Sequence, residues 1–277
     1  MQFTKYNGLG NDFVFVNTFK QPLQNPSRAA KILCDRRRGI GADGLILIGP
    51  SAVNDVRMRI INADGSEAQM CGNASRCVPF FVREQGILSK SELTLETLAG
   101  PIHTKIMDEA HRLVTVDMGV PRLLRGQIPM AGDPADFAID IPLQMPEDVV
   151  YGTAVSMGNP HFVMFGPDAE HVPVEVYGPQ VENHPLFPQK TNVEFVTVLD
   201  ANTLRMRVWE RGAGITQACG TGACASVVAA VINGKTNRQV TVLLDGGALQ
   251  INWPEQKHIF MTGPAEKTFT GTWEKPL

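Results

Sequence analysis

No stretch of this 277-residue chain approaches the roughly 18 uninterrupted apolar residues that a membrane-spanning helix requires. Its opening, MQFTKYNGLGNDF, lacks the apolar core and small-residue cleavage site of a secretory signal, so a cytoplasmic location is expected. An excess of charge is also lacking: 25 Lys and Arg against 28 Asp and Glu leave a formal −3, and no basic field suits nucleic acid. The three tryptophans, at 209, 253 and 273, do not have the spacing of a base-stacking platform. Cysteine is too sparse, and at five odd in number, for a disulfide framework. What remains open is a small neutral or zwitterionic partner and the chemistry of thiols.

The length suits one large domain or two ordinary ones, and 43% hydrophobic residues can build a substantial core. Short runs rich in branched or alternating apolar residues read as strands: FVFVNTF (13–19), GLILIG (44–49), VRMRIINA (56–63), LTLETLAG (93–100) and RLVTVDMG (112–119). Between them, NPSRAAKILCDRRRG reads as a helix with Pro26 near its start and Gly39 as its stop, and ASRCVPFFVREQG (74–86) as a second. The second half repeats this style, with strands near GTAVSMG, HFVMFG, TNVEFVTVL, LRMRVWE, QVTVLL and ALQINW and a helix over TGACASVVAAVINGK. A Pro-rich stretch over 121–149 is expected as the crossing point between halves.

One constant offset aligns the halves. Asn11 and Asn159 are 148 positions apart (159 − 11), and so are Gly10 and Gly158, Asn62 and Glu210, Gln69 and Gln217, and Cys71 and Cys219. Any one match is weak in a chain with 26 glycines, but five at one offset, including a Cys-Gly, imply a duplicated α/β unit. The expected division is 1–117, rejoined by the tail 264–277, and 118–263.

Each half then presents one cysteine where a loop runs into a helix. The first turn of a helix leaves N–H groups unpaired and carries partial positive charge, so it attracts a carboxylate and favours thiolate over thiol. Two such starts facing one another across a cleft would bring two thiols to opposite sides of one bound carbon. One thiolate removes the α-proton, the other thiol delivers a proton to the opposite face, and both helix dipoles stabilise the developing charge. No metal, oxidant or other cofactor is needed. Zinc is disfavoured because Cys71 to Cys77 and Cys219 to Cys224 lack ligand spacing and have no His pair nearby. Cys34, Cys77 and Cys224 lie in apolar helical patterns and read as core. GIGADG (39–44) matches a dinucleotide-binding string but has a strand after it where a helix is required, so it reads as a helix-ending turn. NGKT (233–236) reads as a helix exit and RRR (36–38) as solvated surface.

The segments KYNGLGNDFV, INADGSEAQMCGNASRC, SMGNPHFV, TNVEF and ERGAGITQACGTGACA resemble, in order and across both halves, the signature segments of the diaminopimelate epimerase family. The resemblance implies two similar α/β (α+β) domains related by a pseudo-twofold axis, each a mixed or antiparallel sheet around a helix, with the active site in the interdomain cleft. It implies that Cys71 and Cys219 are the acid/base thiols, with His161 and Glu210 beside them. Asn11, Asn62, Gly72, Asn73, Asn159, Asn192, Glu210, Arg211, Gly220 and Thr221 would bind a dicarboxylic amino acid, Arg211 being suited to grip the distal carboxylate through two parallel hydrogen bonds. It further implies a homodimer and cofactor-independent epimerisation of LL-2,6-diaminopimelate to the meso form.

This chain departs from the family pattern at Ile215, often Glu, at Ala74, often Gly, and at Gly44, in some members Gln. These positions leave open a related two-cysteine racemase or epimerase acting on proline, hydroxyproline, histidine or lanthionine; a non-catalytic amino-acid-binding protein is the alternative from another class. Pro79, inside the helix after Cys71, predicts a kink or a late helix start. Two thiols within bonding range would also make the enzyme sensitive to oxidation.

Overall fold

The computed structural model describes residues 1–255 and 257–277, and the chain divides into two compact units. Unit 1 comprises Met1–Asp117 and Thr262–Leu277; unit 2 is Met118–Met261.

Unit 1 begins with an antiparallel hairpin of β1 (Gln2–Gly8) and β2 (Asn11–Asn17). The two-residue connection puts both Leu9 and Gly10 at positive φ, 62° and 85°, the geometry of the tight turns that match strand twist. Helix α1 (Pro26–Leu33) carries the chain to β3 (Gly44–Gly49), which pairs parallel with β2. Asn25 caps α1 by accepting from the Arg28 N–H, and Pro26 occupies a first-turn position where its missing N–H costs nothing. The helix stops at Leu33, before the expected Gly39, because the Leu33 carbonyl is taken by the N–H groups of Ile40 and Gly41 as GIGADG turns back. Next come β4 (Val56–Asn62), antiparallel to β3, and the two-residue β5 (Glu67–Ala68) on its edge. Helix α2 (Gly72–Glu84) leads to β6 (Glu92–Thr97), parallel to β4, and then to the antiparallel β7 (Gly100–Asp108) and β8 (Leu113–Asp117).

Unit 2 repeats this order. After β9 (Ile141–Gln144) come the antiparallel β10 (Val149–Ser156) and β11 (Pro160–Phe165), helix α3 (Val174–Glu182), and β12 (Asn192–Asp200) parallel to β11. Then follow β13 (Thr203–Glu210), the two-residue β14 (Gly214–Ile215), helix α4 (Gly220–Ile232), β15 (Gln239–Leu244) parallel to β13, and β16 (Gly247–Asn252). β17 (Phe260–Pro264) spans the unit boundary, and β18 (Glu266–Thr272) completes unit 1 by pairing with β1.

The duplication extends to the strand register. Phe13 lies opposite Gly44 in unit 1 and His161 opposite Asn192 in unit 2, each pair 148 positions apart from its counterpart (161 − 13, 192 − 44). Both central helices have thirteen residues and a cysteine as N-cap. α2 contacts β1, β2, β3, β7 and β8, and α4 contacts β10, β11, β12, β13, β15 and β16, so each sheet wraps its own helix. Such a helix is buried all round: α4 is built of Ala, Val, Cys and other small residues, and α2 is buried continuously from Gly72 to Val82, its one charged member, Arg76, being hydrogen-bonded to Asn73. Cys77 and Cys224 are fully buried there, and Cys34 sits in the core around α1.

The structure corrects one sequence expectation and adds two features that the sequence did not reveal. α2 starts immediately after Cys71 and runs through Pro79 without a late start; burial of Val78, Phe80 and Phe81 outweighs the one backbone bond the proline removes. The Pro-rich stretch is no bare connector. Ile128, Met130, Ala138, Leu143 and Met145 are buried in the unit 2 core with Phe162, Phe187 and Phe195. Helix α3 was not anticipated: Pro173, Gly178 and Pro179 mask its pattern, and Gly178 is there because a Cβ would lie 2.5 Å from the Trp209 ring.

Candidate active site

In unit 1 the Ser75 N–H donates to the Cys71 carbonyl at 2.9 Å, so α2 begins directly after the cysteine and its N-terminal end lies at residues 72–74. Cys71 is half-buried, and its thiol donates to Asn11 Oδ1 at 3.9 Å. The hairpin turn at Leu9-Gly10 delivers Asn11 to this point. Its orientation is determined by neighbours: Asn11 Nδ2 donates to Asp43 Oδ2 at 2.7 Å, so the carbonyl oxygen faces Cys71. Asn73 Nδ2 donates to the same Oδ1 at 3.5 Å, while Asn73 Oδ1 accepts from the fully buried Arg76 at 2.9 Å.

Behind Asp43 lies a network absent from the sequence reading. Arg36, expected as plain solvated surface, bridges Asp12 Oδ1 and Asp43 Oδ1 at 2.7 Å each, and the buried Lys5 ammonium lies 2.7 Å from Asp12 Oδ2. Burial works against the charge on Asp12, but hydrogen bonds from Arg36 and Lys5 prevail and hold its carboxyl at about 2. Asn62 ends β4 exposed; its amide donates to Ser66 Oγ at 2.9 Å, in the turn before β5, and it does not join the Cys71 cluster. Gly44 lies opposite Asn62 in the ladder, the position that Asn192 holds in unit 2.

In unit 2 Cys219 is 4% exposed and caps α4 with its own sulfur, which accepts from Gly222 N–H at 3.4 Å and meets Thr221 Oγ1 at 3.5 Å. Asn159 Nδ2 donates to that same hydroxyl at 3.3 Å, and Asn159 Oδ1 lies 3.1 Å from His161 Nε2. His161 Nδ1 in turn lies 2.6 Å from Glu194 Oε1, with both side chains fully buried. Glu210 accepts from the hydroxyl of Thr216.

Burial, with the carboxylates of Glu210 and Glu194 nearby, pushes the Cys219 thiol well above its ordinary range, against the donors at Thr221 and Gly222. Burial likewise pushes Glu210 up. Both groups are thus pushed toward their neutral forms, chiefly because burial penalises their charge. Asn192 is buried with its amide committed to backbone: Nδ2 donates to the Pro160 carbonyl at 2.8 Å and Oδ1 accepts from the Arg211 N–H at 3.0 Å. It thus fixes the start of the Arg211 loop. The Arg211 guanidinium is exposed and rests on the Gln189 carbonyl at 3.0 Å. Ile215, 45% exposed on β14, sits opposite Trp209, and Ala74 is fully buried in α2.

The structure therefore gathers Asn11, Cys71 and Asn73 at one helix start, and Asn159, His161, Glu210, Cys219 and Thr221 at the other. Sequence reasoning missed Glu194 and Asp43. The signal for Glu194 was a lone acid in the otherwise apolar run NVEFV, two residues from Asn192 and so on the same strand face.

The model of the family described as diaminopimelate epimerase matches residues 3–124 and 153–268. This chain belongs to the diaminopimelate epimerase family. A relative of that name from Pelotomaculum thermopropionicum is 53% identical over 278 residues, covering 99% of each chain. Another, from Moorella thermoacetica, is 54% identical over 276 residues and covers 98% of each. Among solved structures, a probable proline racemase from Agrobacterium radiobacter superposes with a TM-score of 0.71 over 99% of this chain and 92% of that one. At 16% identity that likeness establishes the shared fold alone. The family membership agrees with the mixed α/β architecture of both units and makes the chain an isomerase.

Proposed function

We propose that the chain interconverts LL- and meso-2,6-diaminopimelate, in lysine and peptidoglycan precursor synthesis, by proton transfer through Cys71 and Cys219. What carries the reading is that each unit places one cysteine as N-cap of its central helix, in a chain about half identical over its full length to enzymes of that name. On this reading both thiols reach one α-carbon. One sulfur takes the proton as thiolate, the other returns a proton to the opposite face, and the roles exchange in the reverse direction. The N–H groups at residues 72–74 and 220–221 stabilise the charge that develops on the adjoining carboxylate, and Glu210 relays a proton to and from Cys219. Asn11, Asn62, Asn73, Asn159, Asn192, Glu210 and Arg211 bind and orient substrate, Asn192 also fixing the start of the Arg211 loop. No cofactor enters any step.

Solvent deuterium uptake at the α-carbon, measured across diaminopimelate, proline, hydroxyproline, histidine and lanthionine, tests the substrate. Exchange into diaminopimelate is expected; exchange into another member of the panel alone would transfer the reading to that amino acid, and binding without exchange would make the chain a binding protein. No helix among the described residues is long and apolar enough to cross a membrane. The reading includes a cytoplasmic homodimer, as the family likeness implies, and sedimentation velocity on the purified chain checks its mass.

A further inference from the structure

The duplication provides an internal control on the buried dyad of unit 2. His161 and Glu194 occupy positions whose counterparts in unit 1, at the same offset of 148, are Phe13 and Ile46 (161 − 13, 194 − 46). The strand register agrees: His161 and Asn192 pair as Phe13 and Gly44 do, and Val163 and Glu194 pair as Phe15 and Ile46 do. Phe13 is 3% exposed and Ile46 fully buried. The same place in the same fold is therefore filled once by apolar side chains and once by an imidazole against a carboxylate.

Burying an ionisable pair costs desolvation that an apolar pair of similar volume avoids. One oxygen of the pair even lacks a partner: Glu194 Oε2 is buried and makes no hydrogen bond to any described residue. Packing does not require the dyad, so its place must be explained by what it holds. From Glu194 a continuous line of contacts reaches the thiol. Glu194 Oε1 to His161 Nδ1 is 2.6 Å, His161 Nε2 to Asn159 Oδ1 is 3.1 Å, Asn159 Nδ2 to Thr221 Oγ1 is 3.3 Å, and Thr221 Oγ1 to Cys219 Sγ is 3.5 Å. Both ring nitrogens of His161 face acceptor oxygens, Nδ1 toward Glu194 and Nε2 toward Asn159. With Nε2–H donating to the Asn159 carbonyl, the Asn159 N–H₂ faces Thr221. The hydroxyl, having accepted from that amide, is free to donate to sulfur.

We infer that Glu194 is a positioning residue for the reaction: through His161 and Asn159 it turns the Thr221 hydroxyl into a donor aimed at Cys219, a control that unit 1 lacks. The two halves then set their asparagines by different means. Asn11 is oriented by Asp43 and offers its carbonyl to Cys71, whereas Asn159 is oriented by the dyad and offers its amide to the residue beside Cys219.

The inference rests on the two-thiol reading, so the experiment includes Cys219→Ala in the same exchange assay. Glu194→Gln keeps the shape and removes the counter-charge. Its kcat should fall by about 10- to 100-fold with KM within about threefold, a part of the roughly 10²- to 10⁴-fold that a positioned acid or base supplies. Thr221→Val breaks the far end, and the double variant should be no worse than Glu194→Gln alone, since residues in one chain of contacts do not add. The pair His161→Phe with Glu194→Ile transplants the unit 1 solution. It should fold with an unchanged or higher Tm while losing at least about 100-fold in kcat.

Wild-type rates in Glu194→Gln, or additive losses in the double variant, would overturn the inference while a dead Cys219→Ala left the two-thiol reading standing. An active Cys219→Ala would instead overturn that reading. Should the variants fail to fold, nitrogen-15 NMR of His161 in the wild-type protein decides: a proton on Nε2, the nitrogen facing Asn159 Oδ1, is expected, and its absence sinks the proposal.

Discussion

Gly222 and Glu194 share one small volume: a Cβ built on Gly222 would lie 2.6 Å from Glu194 Oε1 and 3.2 Å from Cys219 Sγ. The glycine of the CGTGA segment is thus fixed by two groups from elsewhere in unit 2, a strand carboxylate and the helix's own capping sulfur. Gly222→Ala should lower stability by about 1–3 kcal/mol, the usual cost of overpacking a dense interior, despite the better helix propensity of alanine. Denaturant unfolding measures this, and a variant at least as stable as wild type would show that the carboxylate yields freely.

The two thiols differ in access. Cys71 is half-buried, whereas Cys219 is 4% exposed with its thiol pushed up by burial and two carboxylates. Iodoacetamide should therefore modify Cys71 at least about tenfold faster than Cys219, as thiolate character and exposure dictate. Cys34 and Cys77, raised to about 12 by burial, should remain unmodified in the native protein. Peptide mapping of partially alkylated enzyme provides the order, and prior labelling of Cys219 would contradict it.

Glu210 carries a stability cost with a definite sign. Its carboxyl is raised in the folded state, so folding favours its protonated form, and its contribution to stability declines as pH rises from the unfolded carboxylate range through the raised value. Glu210→Gln removes that titration. Tm should rise relative to wild type above the ordinary carboxylate range, while kcat falls by roughly 100-fold through loss of the carboxyl beside Cys219. Parallel Tm-against-pH curves for the two proteins would contradict the assignment.

Asp43 orients Asn11 and anchors Arg36, both by 2.7 Å contacts. Asp43→Ala should let the Asn11 amide rotate and reduce kcat/KM by about tenfold, the worth of one hydrogen bond to a charged partner. Steady-state kinetics with a wild-type-like Tm would place the effect in the site. An unchanged kcat/KM would show that Asn11 is held by Asn73 alone.

Much of the site was legible because duplication left its mark in residue identity. Asn11 with Asn159, and Cys71 with Cys219, could be matched by counting, and the Cys-Gly steps announced helix starts because a small flexible residue after a cap is a local signal. Helix α3 was not legible, since the residue packed against Trp209 is a glycine and the helix also carries Pro173 and Pro179, which locally argue for a loop. Asp43 hid within a glycine turn that resembled a nucleotide motif. Arg36 hid in a run of three arginines, from which only the fold selects the one that reaches Asp12 and Asp43.

The sequence by itself determined the two α/β units, their central helices and the two cysteines at the helix starts, because hydrophobic periodicity, capping residues and a constant offset are properties of neighbours along the chain. Only the tertiary structure decided how each asparagine points and which acids stand behind it. Those depend on residues far apart in sequence, such as Glu194 against His161 and Asp43 against Asn11, which meet only when parallel strands are brought into register. Burial then raises the stakes: with water excluded, a carboxylate at 2.6 Å from a ring nitrogen fixes that ring, where the same pair in solvent would contribute little.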